Sequence, residues 1–269
     1  MQNKVYLSSI GLIAPGLESW QESKAVLANN TTYVYKDLPK ISPGILPANE
    51  RRRTTPLIKL ALQVAEQCIG NDLSLASHYA TVFASSDGDN NILSKMCIAV
   101  NLADHPVSPT NFHNSVHNAP AGYWAIAADA QFNSNSLSGG DATFAAGLIE
   151  GVSFVSVERK SVLFVAYDIP APEPLVEKSN ISDSFAVAFC LEPYPTDSSF
   201  AALSLELDGN LSGEIKYSSC ADRKLEELRM ANPAAKSLPL LHTLAKKENA
   251  SIIIPYLQST SLTINVSQL

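Results

Sequence analysis

The chain has 269 residues, enough for one large α/β domain or two small ones with a substantial core. Its net charge is -7 and its basic residues are scattered apart from Arg51, Arg52 and Arg53, which excludes an extended basic surface and a nucleic-acid partner. No apolar run approaches the roughly 20 residues that span a bilayer, and the first residues alternate like a strand, so we expect neither a membrane span nor a signal peptide. These features predict a cytoplasmic protein.

Strand and helix patterns alternate from the start of the chain to about residue 195. Residues 4–12 resemble a buried strand, and a Pro-Gly turn leads into a helix over about 18–29. Thr55 caps the clearest helix of the sequence, whose apolar residues share one face and predict packing on a sheet. The pattern further predicts strands at 79–85, 134–138, 161–167 and 185–191, helices at 91–103 and 118–130, loops at 30–49 and from 108 to 112, and a proline-rich crossing at 169–183.

After Pro195 the pattern thins out. It predicts strands at 200–208, 251–256 and 262–266 and a helix at about 238–247, while 209–232 is polar and hard to place. Alternating strands and helices indicate a layered α/β domain.

Four cysteines stand far apart in the sequence, and none belongs to a CxxC pair. They are Cys68, Cys97, Cys190 and Cys220. This spacing argues against a zinc site or a redox motif, so we expect reduced cysteines that act as small buried hydrophobes.

The stretch Ser138–Thr143 is a strand-to-helix turn that the rest of the chain surrounds. A short strand runs through Gly139 and Gly140 into a helix that begins near Asp141. Such a turn aims one side chain along the unpaired amides of the following helix, where the helix dipole favours a negative charge. Enzymes use this geometry to hold a nucleophilic Ser or Cys, but the residue here is a carboxylate.

Five segments in order carry a resemblance to the β-ketoacyl synthase branch of the thiolase-like condensing enzymes. They are KVYLSSIGLIAPG, ERRRTTPLIKLALQVAEQC, SVHNAPAGYWAIA, LSGGDATFAAGLIEG and SDSFAVAFCLEP. The resemblance implies an α/β, thiolase-like layered αβαβα fold with a near-complete first half, 1–195, and an abridged second half of the same domain, 196–269.

The resemblance also implies that the catalytic groups of the family are missing. The position of the acylated cysteine falls on Asp141, and a carboxylate attacking a thioester would give a reactive mixed anhydride. His78, His105, His113 and His117 lie in the first half, although the family places two histidines in the second. His242, with Lys236 nearby, matches the family motif poorly, so we expect a helical histidine in solvent and no catalytic residue.

A condensing-enzyme fold without nucleophile and histidines resembles the chain-length factors of type II polyketide and aryl polyene systems, here in a shortened, aryl-polyene-type form. The resemblance implies a heterodimer with an active ketosynthase, whose central sheet runs across both subunits through 134–138. It further implies that acyl carrier protein is reached through the partner and that no cofactor is bound. Without such a partner, the strand at 134–138 would be an exposed edge of the sheet.

Bulky side chains of such a subunit would set the end of the partner's acyl tunnel. The candidates for the tunnel and the interface are Asn111, Phe112, Val116, Tyr123, Ser136 and Ser138. The alternative for the bulky residues is ordinary core or interface packing.

Two polar clusters have competing interpretations. Arg51–Arg53 could attract an acidic carrier protein, but a salt-bridged helix start in solvent is favoured. His113 and His117 with their neighbouring asparagines could hold a metal, yet this spacing is common by chance, and we expect no metal.

Three functions therefore remain open. The leading hypothesis is the tunnel-shaping, non-condensing subunit. A stand-alone acyl-thioester decarboxylase or hydrolase that uses Asp141 is the enzymatic alternative. The third is an interaction module without influence on chain length.

Overall fold

The computed structural model describes residues 4–70, 73–104, 106–209 and 215–269. The strands in these ranges are β1 (Val5–Ile13), β2 (Ala80–Ala84), β3 (Ser134–Leu137), β4 (Val162–Asp168), β5 (Phe185–Glu192), β6 (Ala201–Asp208), β7 (Ala250–Leu257) and β8 (Thr260–Gln268). The α-helices are α1 (Trp20–Leu27), α2 (Ala48–Arg53), α3 (Pro56–Ile69), α4 (Asn90–Val100), α5 (Pro109–Asn114), α6 (Ala119–Ala127), α7 (Thr143–Glu158), α8 (Arg223–Met230) and α9 (Leu238–Lys246).

The strands pair in one sheet in the order β3-β2-β4-β5-β1-β6-β8-β7. In the first five, β2 lies parallel to β3 and β4, whereas β5 runs antiparallel to both β4 and β1. The apolar runs of β2, β4 and β5 are buried along their whole length. This burial is typical of a sheet covered by helices on both faces.

Helix α3 covers one face of the five-stranded part, together with α6. Its first turn is fixed because the Thr55 hydroxyl accepts from the Ile58 amide at 3.2 Å and Pro56 needs no amide partner there. Gly11 in β1 lets the helix approach closely, since a Cβ at this position would overlap the carbonyl oxygen of Val64. The contact therefore depends on a missing side chain.

Helix α7 lies against the opposite face, and the sheet curls over it. β1 and β6 pair at only three positions, Val5–Leu7 with Ala201–Leu203, and beyond them β7 returns to contact α7. Phe144 of α7 and Ile252 of β7 belong to one hydrophobic core. The layers are thus helix, sheet, helix and sheet.

The outer face of β6, β8 and β7 is polar in the described residues. The Ser251 hydroxyl donates to the Asn265 side-chain oxygen at 2.6 Å, and the Asn265 amide donates to Glu206 at 3.0 Å, so one ladder crosses three strands. Ser251 and Glu206 are exposed. This face of the sheet therefore carries side chains suited to water.

Most predicted elements are present, but two predictions were wrong. Residues 108–112, predicted as a loop, begin helix α5, because Ser108 caps the Asn111 amide and Pro109 fits the first turn. Cys97 is exposed on α4 and Cys220 is half-buried, whereas Cys68 and Cys190 are buried as expected. The stretch 209–232, for which the sequence predicted no element, contains α8, capped by Asp222.

No helix in the described part of the chain is long and apolar enough to cross a membrane. His105 lies outside the described residues.

We predict that Gly11→Ala lowers the free energy of unfolding by about 1–3 kcal/mol, because the added methyl group meets backbone of α3 that cannot move away. Gly122→Ala is the matched control: it lies in α6 with nothing within 4 Å, and there alanine stabilises a helix by roughly 0.5–1 kcal/mol. Denaturant unfolding of both variants measures the difference. An equal effect of the two substitutions would contradict the close packing of α3 on β1.

Candidate functional site

The elbow, residues Ser138–Thr143, joins β3 to α7. Gly140 has a φ of +56°, a left-handed conformation that few other residues adopt, and a short 3-10 turn over Gly140–Ala142 precedes the α-helix. The Thr143 hydroxyl accepts from the Gly139 amide at 3.0 Å and donates to the Gly140 carbonyl at 2.6 Å. The strand-to-helix turn predicted from the sequence is therefore present and held by its own side chain.

Asp141 points away from this internal bonding. Its side chain is exposed, and in the described ranges its carboxylate accepts no hydrogen bond. The residue to which it is coupled electrostatically is Lys236, half-buried in the short turn before α9. Burial lowers the pKa of Lys236, Arg229 lowers it further, and the negative charge of Asp141 opposes both effects. The elbow thus carries an exposed carboxylate, Asp141, whose charge acts on the partly desolvated ammonium group of Lys236.

An ion pair on α8 lies beside Lys236. Arg229 donates to both oxygens of Glu226, from Nε at 2.8 Å and from Nη2 at 2.6 Å. These hydrogen bonds lower the pKa of Glu226 and raise that of Arg229. The Arg229 side chain is only 9% exposed. The bidentate pair therefore holds the Arg229 guanidinium, which lowers the pKa of Lys236, in one position.

A buried carboxylate orders the loop next to the elbow. Asp168, at the carboxyl end of β4, accepts through Oδ1 from the Ser85 hydroxyl at 2.8 Å and from the amides of Ser86 and Asp87 at 2.9 and 3.4 Å. The Ser138 hydroxyl in turn donates to the Ser86 carbonyl at 2.8 Å. Asp168 Oδ2 is buried without a partner. Burial raises the Asp168 pKa to about 7, against the lowering effect of these bonds.

The bulky candidates lie together on one surface groove between α5 and α6. Phe112 is 65% exposed and Val116 53% exposed, and Ile126, which the sequence did not single out, is 85% exposed. Tyr123 donates to Asn114 Oδ1 at 3.0 Å, and burial raises its pKa. The groove encloses about 380 Å³ and is lined by Phe112, His113, Val116, Asn118, Ala119, Gly122, Tyr123 and Ile126; we call it the α5–α6 groove. Asn111, half-buried on α5, does not line it.

The serine candidates lie on the edge of the sheet. β3 pairs with β2 on one side and ends the sheet order on the other. Its first two residues are exposed, Ser136 is half-buried with an unpartnered hydroxyl, and Ser138 is exposed at the elbow. The predicted edge strand is therefore present. The roles of Ser136 and Ser138 at an interface or tunnel stay predictions.

The candidate histidines and arginines make contacts within the chain, away from Asp141. His242 Nδ1 lies 2.5 Å from the Leu27 carbonyl and joins α9 to α1, so it is half-buried and not a histidine in solvent. His117 Nε2 contacts the Ser85 carbonyl at 2.9 Å. Arg51 donates to the Pro43 carbonyl and Arg53 pairs with Glu50, so the expected salt bridge is present. The three arginines occupy the last turn of α2, however, and not a helix start. No group of three or more metal-ligating side chains occurs in the described residues.

Asp168 gives a stability prediction. Its pKa is about 7 in the folded protein, whereas an ordinary aspartate has a pKa of 3.8, so between these pH values the folded state holds a proton that the unfolded state has lost. The free energy of unfolding should therefore fall as pH rises from about 4 to about 7, by up to roughly 4 kcal/mol. Asp168→Asn, which keeps the acceptor oxygen without the charge, should flatten this decline and be the more stable protein at pH 8.

The measurement is denaturant unfolding between pH 4 and pH 8. Asp197→Asn removes a charge from an exposed position and is the control, which should follow the wild-type profile. If Asp168→Asn were less stable than the wild type at pH 8, the buried carboxylate would be stabilising and the expectation wrong.

The comparisons with known proteins agree with one another. The model of the family "beta-ketoacyl synthase, N-terminal domain" matches residues 18–255. No curated protein sequence matches the chain.

Among solved structures, the chain superposes on one chain of the complex of a ketosynthase (ApeO) with its chain length factor (ApeC) from Xenorhabdus doucetiae. The TM-score is 0.70 and the identity 24%, over 97% of this chain and 99% of that chain. A chain of the ishigamide ketosynthase/chain length factor gives a TM-score of 0.70 at 14% identity, over 99% of each chain.

A third neighbour comes from AntDE:AntF, a type II polyketide synthase acyl-carrier protein in complex with its ketosynthase bound to the hexaketide. The TM-score is 0.72 at 11% identity over 100% of both chains. At these identities the likeness establishes the fold, a thiolase-like ketosynthase fold that extends over the whole chain and confirms the predicted fold class.

Proposed function

Because the chain belongs to the β-ketoacyl synthase N-terminal domain family, we propose that it is a non-condensing subunit, a chain-length factor, that pairs with an active ketosynthase and bounds its acyl tunnel. The observation that carries this proposal is the elbow. Its geometry is that of a nucleophile turn, but the exposed residue is Asp141, whose carboxylate accepts no hydrogen bond from the described chain.

The chemistry of Asp141 argues against acyl-chain carriage. A carboxylate that attacks a thioester yields a mixed anhydride, which water attacks readily, whereas condensation proceeds from a stable thioester. The cation on which the charge of Asp141 acts is Lys236. His242 and His117 contact the carbonyls of Leu27 and Ser85, and His113 packs against the Tyr123 ring. A second subunit must supply the cysteine and the groups that stabilise an enolate.

The pairing surface is the β3 edge and the α5–α6 groove. An exposed edge strand offers unpaired amides and carbonyls to another chain. The groove beside it exposes Phe112, Val116 and Ile126, a cluster of apolar side chains that water solvates poorly. The Xenorhabdus doucetiae complex pairs a ketosynthase with its chain length factor, and by analogy this surface receives a full-length ketosynthase of an aryl-polyene or related polyketide system.

In the pair, the α5–α6 groove closes the end of the partner's tunnel. Phe112 and Tyr123 line this groove, and in the proposed pair their volume sets how far the acyl chain can grow. The AntDE:AntF complex joins an acyl-carrier protein to its ketosynthase. Acyl carrier protein accordingly delivers its cargo to the partner subunit in the cytoplasm, and this chain needs no cofactor of its own.

Co-expression with a full-length ketosynthase from a neighbouring gene tests the pairing. We expect a one-to-one complex by size-exclusion chromatography and, after incubation with acyl and malonyl carrier proteins, acylation of the partner alone by intact mass. Ile126→Asp should abolish the complex because it places a charge in the apolar contact.

Leu257→Asp is the matched control, since Leu257 is 61% exposed but lies on β7 at the far edge of the sheet. This variant should still form the complex. A chain that remains alone and soluble, or that becomes acylated itself, would reject the proposal.

Product length tests the role of the groove. Phe112→Ala should lengthen the polyene and Phe112→Trp should shorten it, by about one two-carbon unit or more, because the first opens and the second fills the tunnel end. Mass spectrometry of extracted products measures the shift. Unchanged length in both variants, with the complex intact, would favour an interaction module that has no influence on chain length.

A stand-alone acyl-thioester decarboxylase or hydrolase remains the alternative, and the proximity of Asp141 to Lys236 is the observation that favours it. Steady thioester turnover by the purified chain, lost in Asp141→Ala, would establish it. In a non-condensing subunit, Asp141→Ala leaves product formation by the complex unchanged.

A further inference from the structure

A second cavity lies between the first turn of α1 and the carboxyl end of α9, and none of its lining residues belongs to the elbow. It encloses about 490 Å³, more than the α5–α6 groove, and falls in the range of small-molecule sites. Its apolar walls are formed by Ile10, Trp20, Phe200 and Leu244. We call it the α1–α9 cavity.

The packing of the two helices explains why the cavity exists. His242 fixes the middle of α9 to the last turn of α1 through the Leu27 carbonyl. Trp20, in the first turn of α1, and Leu244, near the end of α9, are then separated by open space. At the floor, β1 carries a bulge at Ser8, and its side chain bonds to Glu192.

Three of the lining side chains are largely buried. Ile10, Trp20 and Leu244 are only 5%, 6% and 3% exposed, so each presents a small part of its surface to the cavity. An apolar group in the space would cover these surfaces, and hydrophobic burial would contribute to its binding free energy.

The charged side chains that line the cavity are Lys24 and Lys247. Two negative groups lie close to the same space: Glu192, which is bonded to Ser8, and the carboxylate of Leu269, the last described residue, which also lines the cavity.

Lys24 Nζ lies 5.5 Å from the centre of the Trp20 ring and donates to Gln21 Oε1 at 2.7 Å. The first turn of α1 also faces this space, and its dipole adds positive potential, which the Glu22 carboxylate in the same turn partly offsets.

We propose that the α1–α9 cavity binds an amphipathic carboxylate, with an apolar chain against Trp20, Phe200 and Leu244 and the carboxylate between Lys24 and Lys247. The site is separate from the elbow and involves no covalent step. This proposal does not rest on the chain-length-factor function, because every contact it uses lies within this chain.

Decanoate is the probe, titrated below its micellar concentration into the purified protein together with any subunit that copurifies. We expect a saturable change in tryptophan fluorescence that Trp20→Phe abolishes, since Trp124 is fully buried elsewhere. Decanol and decyltrimethylammonium, which have the same chain without the anion, should bind at least about tenfold more weakly.

Two variants separate this cavity from the surface groove. Lys24→Gln combined with Lys247→Gln should weaken decanoate binding about tenfold and leave decanol binding unchanged. Ala245→Phe should block both ligands by filling the cavity. Phe112→Ser, in the α5–α6 groove, should leave decanoate affinity unchanged.

Equal affinity for decanoate and decanol, or a loss of binding in Phe112→Ser alone, would overturn the proposal. A failure to pair with a ketosynthase would leave decanoate binding unaffected, so the two proposals fail in distinguishable ways.

Discussion

Helix α7 must be buried on two sides at once, and the rest of the structure depends on this constraint. It packs on β2 and β4 and also contacts β7, and nine of its residues are buried. Gly147 faces Phe164 and Ala84 so closely that a Cβ would overlap their side chains. The small residues of the helix therefore set the spacing of the two sheet layers. Because the elbow is the amino end of this helix, its backbone geometry is fixed by packing and not by the chemistry of residue 141.

This separation means that the residue at position 141 can change without disturbing the fold. Asp141 is exposed and contributes nothing to the core, whereas the Thr143 side chain bonds the backbone of the turn from a buried position. A change from a nucleophile to a carboxylate at position 141 thus costs no packing. The turn stays well formed whatever side chain stands at position 141, and the Asp168 cluster orders the adjacent loop through Ser86.

The sequence predicted those helices and strands that depend on the residues of one segment alone. The apolar runs of β2, β4 and β5 and the Thr55 cap of α3 depend on local pattern, and those elements were predicted. Helix α5 was missed because six residues with one Ser-Pro start show no periodicity, and α8 was missed because only Leu225 and Leu228 mark its buried face. Lys236 beside Asp141, and Asp168 bound to Ser85 83 residues away, depend on tertiary proximity that no local pattern reveals.

The two edges of the sheet differ in a way that limits how many chains can join. At β7, Ser218 donates its amide to the Ile253 carbonyl at 2.8 Å and accepts the Ile253 amide at its hydroxyl, so a loop already occupies that edge. At the other end, β3 pairs only with β2 among the described strands. A sheet with two open edges propagates into a filament, whereas a sheet with one open edge closes after a single addition. Edge-to-edge pairing is therefore disfavoured at the Ile253 position of β7, whereas the outer edge of β3 has no strand beside it among the described residues.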